Sequence, residues 1–201
     1  MTSSAHPYTF SSRANNLTSS AIREILKITE RPEIISFAGG LPAPKGFPVE
    51  VINTAYDRVL SQLGRSALQY GPTEGYAPLR AWVAEDLKRV GAMDITPDEI
   101  LIVSGSQQAL DMLGKLFIDP GSKVLVEAPS YLGALQSFSL FEPEYVSVPT
   151  DGGGLIPEGL TDERVKDGRF IYALPNFQNP TGLTLNLARR KALVERCAAV
   201  G

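Results

Sequence analysis

The chain has 201 residues, 19 Lys and Arg against 22 Asp and Glu, and a pI near 5.3. That length can bury one sizeable core, and the mild charge without long single-sign blocks argues against a nucleic-acid partner. No apolar run approaches the roughly 20 residues of a membrane span, and Met1 to Phe10 lacks the basic start and apolar core of a secretion signal, so a cytoplasmic protein is expected. A single cysteine, Cys197, and a single histidine, His6, exclude an internal disulfide and argue against a metal site or a serine–histidine triad.

In chain order, the first predicted helix runs from about Ser19 or Ser20 to Thr29, with Ile22, Ile25, Leu26 and Ile28 on one side. "ISFAGGLPAPKGFP" follows as a loop containing Gly39 and Gly40. A second helix starts near Pro48 and stops at Gly64, and the loop "LQYGPTEGY" carries Tyr70. A third spans roughly Pro78 to Val90 with Leu79, Trp82, Val83 and Leu87 at helical spacing.

From Glu99 the pattern changes. Ile100–Val103, Lys123–Glu127, Tyr145–Val148 and Phe170–Leu174 read as strands, the last of them buried. They alternate with helices beginning at Gln107, Tyr131, Pro157 and Asn186. This alternation predicts an α/β fold: a mostly parallel sheet with helices on both faces. Residues 1–98 are expected to form an N-terminal arm and helices packed on that sheet or on a partner subunit, part of a small domain, and residues 99–201 the first part of the large sheet domain.

Three turns at carboxyl ends of predicted strands offer chemistry, which is where open parallel sheets bind ligands. "SGSQQALDMLGKLF" aims backbone amides and a helix dipole at one spot, a geometry suited to phosphate, and Gly105 permits close approach. "EAPSYLGAL" sets Tyr131 at a helix head, where its ring can lie on an aromatic ligand. "ALPNFQNPTGLTL" places Asn179 before Pro180, which restricts its backbone and holds its amide in one direction, where it can donate to a phenolate-like oxygen. Each also has a plainer reading: a serine cap, a half-buried helix-start tyrosine, an ordinary turn. Taken together they describe a phosphorylated aromatic cofactor.

With "SFAGGLPAP" and "LQYGPTEGYAPLR" in the same order, these motifs resemble the first half of a class I/II, fold type I pyridoxal-phosphate-dependent aminotransferase. The match covers nearly everything from Leu17 to Gly201. With "SGSQQAL" and "QNPTG" it resembles the 2-aminoadipate and kynurenine aminotransferases of that family. The resemblance implies that Gly105, Ser106 and Gln107 hold the cofactor phosphate, that Tyr131 stacks on the pyridine ring and that Asn179 donates to its phenolic oxygen. Tyr70 would reach the phosphate of the other subunit in a homodimer with shared active sites. Gly39 and Gly40 would close over the substrate carboxylate, with Asn179 also at the substrate. Arg23 is the candidate cation for the distal carboxylate of an acidic donor.

The family's Schiff-base lysine, its aspartate against the pyridine nitrogen and its carboxylate-binding arginine follow the Asn-Pro-Thr-Gly motif. Here only Lys191 follows it, too near Asn179 in sequence, so the catalytic lysine is expected beyond Gly201 and the chain reads as incomplete at its C-terminus. Two alternatives stay open: an aminotransferase-like regulator that senses an amino acid, for which the leader before Leu17 is too short to hold a DNA-binding domain, and a lyase or synthase of the same fold.

Overall fold

The computed structural model describes residues 9–16, 33–35, 42–91 and 93–200, and divides the chain into two units, Ser19–Val103 and Met1–Thr18 with Ser104–Gly201. The predicted first helix, with Arg23, and the Gly39 and Gly40 pair lie outside the described residues.

In the Ser19–Val103 unit, helix α1 (Val49–Leu63) follows Pro48 and ends at Gly64, whose φ of 53° suits the glycine found there. It buries no residue, and Val51, Tyr56, Val59 and Leu63 stand exposed along it. Helix α2 (Ala77–Arg89) buries only Ala84, and Leu79 and Trp82 are exposed, so this unit does not bury the face that the helical spacing marks. Arg80 anchors α2 by donating to the carbonyls of Pro97 and Ile100 and pairing with Asp98.

The expected strand at Ile100–Val103 is not formed. Strand structure requires a hydrogen-bonded neighbour along its length, and here the Ile102 N–H donates instead to the carbonyl of Glu74 in a turn, 3.0 Å away. Gly75 makes that approach possible: at φ 103° a Cβ there would lie 2.6 Å from the Ile102 side chain.

The second unit holds three strands, β1 (Lys123–Glu127), β2 (Glu144–Val148) and β5 (Gly168–Tyr172), in a parallel sheet of order β2-β1-β5. Side chains alternate across central β1. Val124 and Val126 face one layer with Leu110, Ala134 and Phe138, from helices α3 (Ser106–Phe117) and α4 (Leu132–Ser139). Leu125 faces the other with Val148, Leu155, Leu160 and Leu185, onto which Leu193 and Cys197 of helix α6 (Leu187–Val200) pack. The sheet is therefore covered on both faces, as the alternation predicts. Asn186 caps α6 by accepting the Arg189 N–H at 2.9 Å.

Two expectations need correction. The strand predicted at Phe170–Leu174 begins and ends two residues earlier and is half-buried, because among the described residues β5 is an edge of this sheet and pairs only with β1. The helix predicted from Pro157 is a single 3-10 turn, Pro157–Gly159, followed by the short α5, Asp162–Val165.

A small antiparallel hairpin, β3 (Thr150–Asp151) with β4 (Gly154–Leu155), is clamped by Arg189, whose guanidinium donates to both Asp151 carboxylate oxygens at 2.6 Å and to the Gly154 carbonyl. Arg189 and the Gly153 N–H hold the Asp151 carboxyl down to about 2 from its ordinary 3.8. A depressed folded-state value adds stability above the ordinary carboxyl range that is lost as pH falls from near 4 to near 2. Asp151→Asn should therefore unfold at a lower temperature than wild type near pH 6, by a small margin because the pair is exposed, and the gap should close by pH 2. A gap that stays constant across that range would contradict this role.

Candidate functional site

Because β1 and β5 are parallel neighbours, the loops that leave them emerge at the same end of the sheet. Two hydrogen bonds join those loops directly. The Leu174 N–H donates to Glu127 Oε2 at 3.0 Å, and Gln178 Nε2 donates to the Pro129 carbonyl at 2.9 Å. The loop of Tyr131 and the loop of Asn179 are thus in contact. Residues 118–122 join the end of α3 directly to the start of β1, so its first turn points toward the strands' carboxyl ends; its last residue, Phe117, lies edge-on to Phe170, ring centroids 6.2 Å apart.

Gly105 precedes that first turn with φ 84° and ψ 166°, a conformation essentially restricted to glycine, and no atom lies within 4 Å of where a Cβ would be. Gln108 Oε1 accepts the Ser104 N–H at 2.6 Å. The next amides, at Ser106 and Gln107, open the helix and have no carbonyl within it to pair with. No side chain among the described residues caps them, so the serine-cap reading of this turn is not what forms. Ser106 and Gln107 are exposed.

Tyr131 precedes α4 and is half-buried against the Leu110 and Phe138 layer. Its ring lies over Gly133, where a Cβ would come within 2.5 Å of the phenol Cζ and oxygen, so a glycine there is what lets the ring take this position. The Tyr172 phenol beside it is pushed above its ordinary 10, by burial first and then by Tyr131 and the Glu127 carboxylate. In the same loop the Ser130 hydroxyl is buried and has no hydrogen-bond partner among the described residues.

Asn179 sits exposed at the tip of a loop held along its whole length. Leu185 N–H donates to the Pro175 carbonyl, Gln178 N–H to the Leu183 carbonyl, and Phe177 N–H to Thr184 Oγ1. Arg190 of α6 closes the base by donating to the Leu185 and Pro175 carbonyls at 2.8 and 3.0 Å. Tyr70, in the Ser19–Val103 unit, is 99% exposed. Gln178, Glu127 and Arg190 escape a sequence reading, since their partners lie in other loops and no local pattern marks them; Gly182, at φ 73°, is the member of this framework that turn chemistry does mark.

The donor set suits a phosphorylated flat ring: a glycine-only turn with free amides, an aromatic face on a glycine floor, a buried hydroxyl without a partner, and an amide on a rigid loop. No helix among the described residues is long and apolar enough to cross a membrane.

The class that this fold and site define is confirmed by comparison. The family model for aminotransferases of class I and II matches residues 34–201, and the chain belongs to that family, with a sheet unit of the fold type I large domain. It is 50% identical over 190 residues to the 2-aminoadipate transaminase of Thermus thermophilus, covering 92% of this chain and 46% of that one. It is 46% identical over 192 residues to aromatic-amino-acid aminotransferase 1 of Thermococcus litoralis, with the same two coverages. The crystal structure of LysN, the alpha-aminoadipate aminotransferase of Thermus thermophilus complexed with N-(5'-phosphopyridoxyl)-L-leucine, superposes with a TM-score of 0.82 at 48% identity, covering 94% of this chain and 46% of that one. The chain thus spans just under half the length of these relatives.

Proposed function

We propose that the protein is a pyridoxal-phosphate-dependent aminotransferase that moves the amino group of 2-aminoadipate, glutamate, leucine or an aromatic amino acid to a 2-oxo acid such as 2-oxoglutarate. The observation that carries this reading is the glycine-only turn at Gly105, opening α3 toward the end of the sheet where the Tyr131 and Asn179 loops meet. The cofactor supplies an electron-withdrawing ring that stabilises charge at the substrate Cα. Gly105, Ser106 and Gln107 hold its phosphate through backbone amides and the serine hydroxyl. Tyr131 supports the ring face, and Asn179 donates its amide to the ring oxygen.

Gly39 and Gly40 cover the substrate carboxylate, and Arg23 reads the distal carboxylate of an acidic donor. Tyr70, 99% exposed, completes the phosphate site of a partner subunit; the working form is a homodimer, and it works in the cytoplasm. These assignments give this chain binding and orientation; Lys191, exposed on α6, is not assigned the Schiff-base role.

The test is a half-reaction. The intact protein, loaded with pyridoxal phosphate, is mixed with one amino acid at a time while the cofactor absorbance is followed. Loss of the aldehyde-form band is expected with 2-aminoadipate and glutamate, from a sample that sediments as a dimer. No response to any amino acid by a fully loaded sample would remove the aminotransferase reading. Leucine reacting as readily as the acidic donors would remove the role given to Arg23, and an active monomer the role given to Tyr70.

A further inference from the structure

Gln178 is one of three buried polar or charged side chains among the described residues, at 5% exposed, although its neighbours Phe177 and Asn179 are exposed. A glutamine is taken from water at a cost unless its donors and acceptors find partners. Here they do, and across two loops. Nε2 donates to the Pro129 carbonyl at 2.9 Å, two residues before Tyr131; Oε1 accepts the Thr181 N–H at 2.9 Å and the Thr181 hydroxyl at 2.7 Å, two residues after Asn179. The Glu127–Leu174 hydrogen bond joins the same loops nearer the sheet, so the pair forms a two-point tie between the ring platform and the amide.

The geometry points to Gln178 as a positioning residue: its side-chain amide sets the distance between the Tyr131 and Asn179 loops, so that both meet one bound cofactor. This rests on the cofactor assignment above. An apolar side chain of similar size would fill the space without fixing the separation, because packing is less directional than a donor on one side and an acceptor on the other. Gln178 touches no reacting atom in this role; it acts through Tyr131 and Asn179.

Gln178→Glu separates positioning from filling. The ionised carboxylate keeps the acceptor for Thr181 but faces the Pro129 carbonyl without a proton, whereas the neutral acid restores the donor. Burial raises the value at which this carboxyl protonates, bringing it toward neutral pH. The titratable groups in the two loops and the elements packed on them are Glu127, Tyr131, Tyr172 and Arg190; their own titration is common to both proteins, and their coupling to the new carboxylate moves only the pH at which the ratio falls.

The pyridoxal phosphate dissociation constant of the intact protein is measured by equilibrium dialysis from pH 8.5 to 5.5. At pH 8.5 Gln178→Glu should bind about tenfold more weakly than wild type, and that ratio should shrink toward unity on acidification. Gln178→Leu should show a comparable loss at every pH. A Gln178→Glu ratio that equals one throughout, or that does not move with pH, overturns the proposal. Should the Gln178 variants not fold, Thr181→Val, which removes one of the two Oε1 donors and the acceptor of the Leu183 N–H at 3.3 Å, should weaken cofactor binding about two- to fivefold, beyond what its loss of folded protein accounts for. Unchanged affinity in that variant overturns the proposal too. A wild-type protein that binds no pyridoxal phosphate overturns this inference and the cofactor assignment together, whereas wild-type binding with unaltered variants overturns this inference alone.

Discussion

Replacing Phe138 with alanine is expected to destabilise the protein by about 3–5 kcal/mol, a large share of the roughly 5–15 kcal/mol that holds an ordinary domain together. Phe138 is 1% exposed and lies at the centre of the layer formed by Leu110, Val124, Val126 and Ala134. Its ring meets Phe170 and Tyr172 edge-to-face, with centroids 5.4 and 5.9 Å apart, so truncation removes two aromatic contacts as well as buried area. The site cannot collapse easily: β1 and β5 are held by their ladder, and Gly114 of α3 already sits close to Phe138 and Phe141. Phe117, which meets Phe170 from the solvent side and is 48% exposed, should cost less than half as much when truncated. Urea unfolding of the intact protein measures both. A loss below about 1 kcal/mol for Phe138→Ala would mean that this layer is not the principal core. Tyr131 packs on the same layer, so this variant should also bind cofactor less tightly than its remaining folded fraction accounts for.

Gly105→Ala is expected to weaken pyridoxal phosphate binding by about tenfold to a hundredfold while leaving the fold intact. Space is not the obstacle, since nothing lies within 4 Å of the added Cβ. The obstacle is the backbone: at φ 84° and ψ 166° an alanine carries strain of about 1–3 kcal/mol, and each 1.4 kcal/mol is a factor of ten in affinity. The chain can relieve that strain by rotating the 104–106 peptides, which turns the amides away from the spot they share. Strain borne with phosphate bound becomes lost affinity when the free protein can relax, and lost stability when it cannot. Dialysis of the loaded protein together with unfolding of the cofactor-free form tells the two apart. Affinity and stability both unchanged would show that the turn relaxes without consequence and does not hold the phosphate.

Much of the site was legible in residues alone because its parts are local. Pro48 and Gly64 bracket α1, Gly105 opens α3, Asn186 caps α6, and the amides, prolines and glycine of residues 176–182 mark a loop that an unbound turn would not need. Each is decided by φ preferences or by hydrogen bonds within a few residues. The periodicity of apolar side chains is equally local, and it located β1, β2 and α6 within a residue or two.

Where reading the residues erred, a distant neighbour decided. Ile100–Val103 has the composition of a strand but bonds to a turn at Glu74, and Phe170–Leu174 has that of a buried strand but only its start is paired, at the edge of the sheet. Leu79 and Trp82 fall on a helical stripe that this unit leaves exposed. Amino-acid order by itself determined the α/β class, the parallel alternation and the three candidate turns, since these depend on short-range sterics and repeat patterns, while the family was legible through the resemblance of its motifs. Tertiary structure alone decided which turns touch: the two bonds that join the Tyr131 and Asn179 loops link residues 47 and 49 positions apart. No propensity or spacing rule reaches that far, because a buried glutamine or glutamate is stabilised only by the partner that folding brings to it.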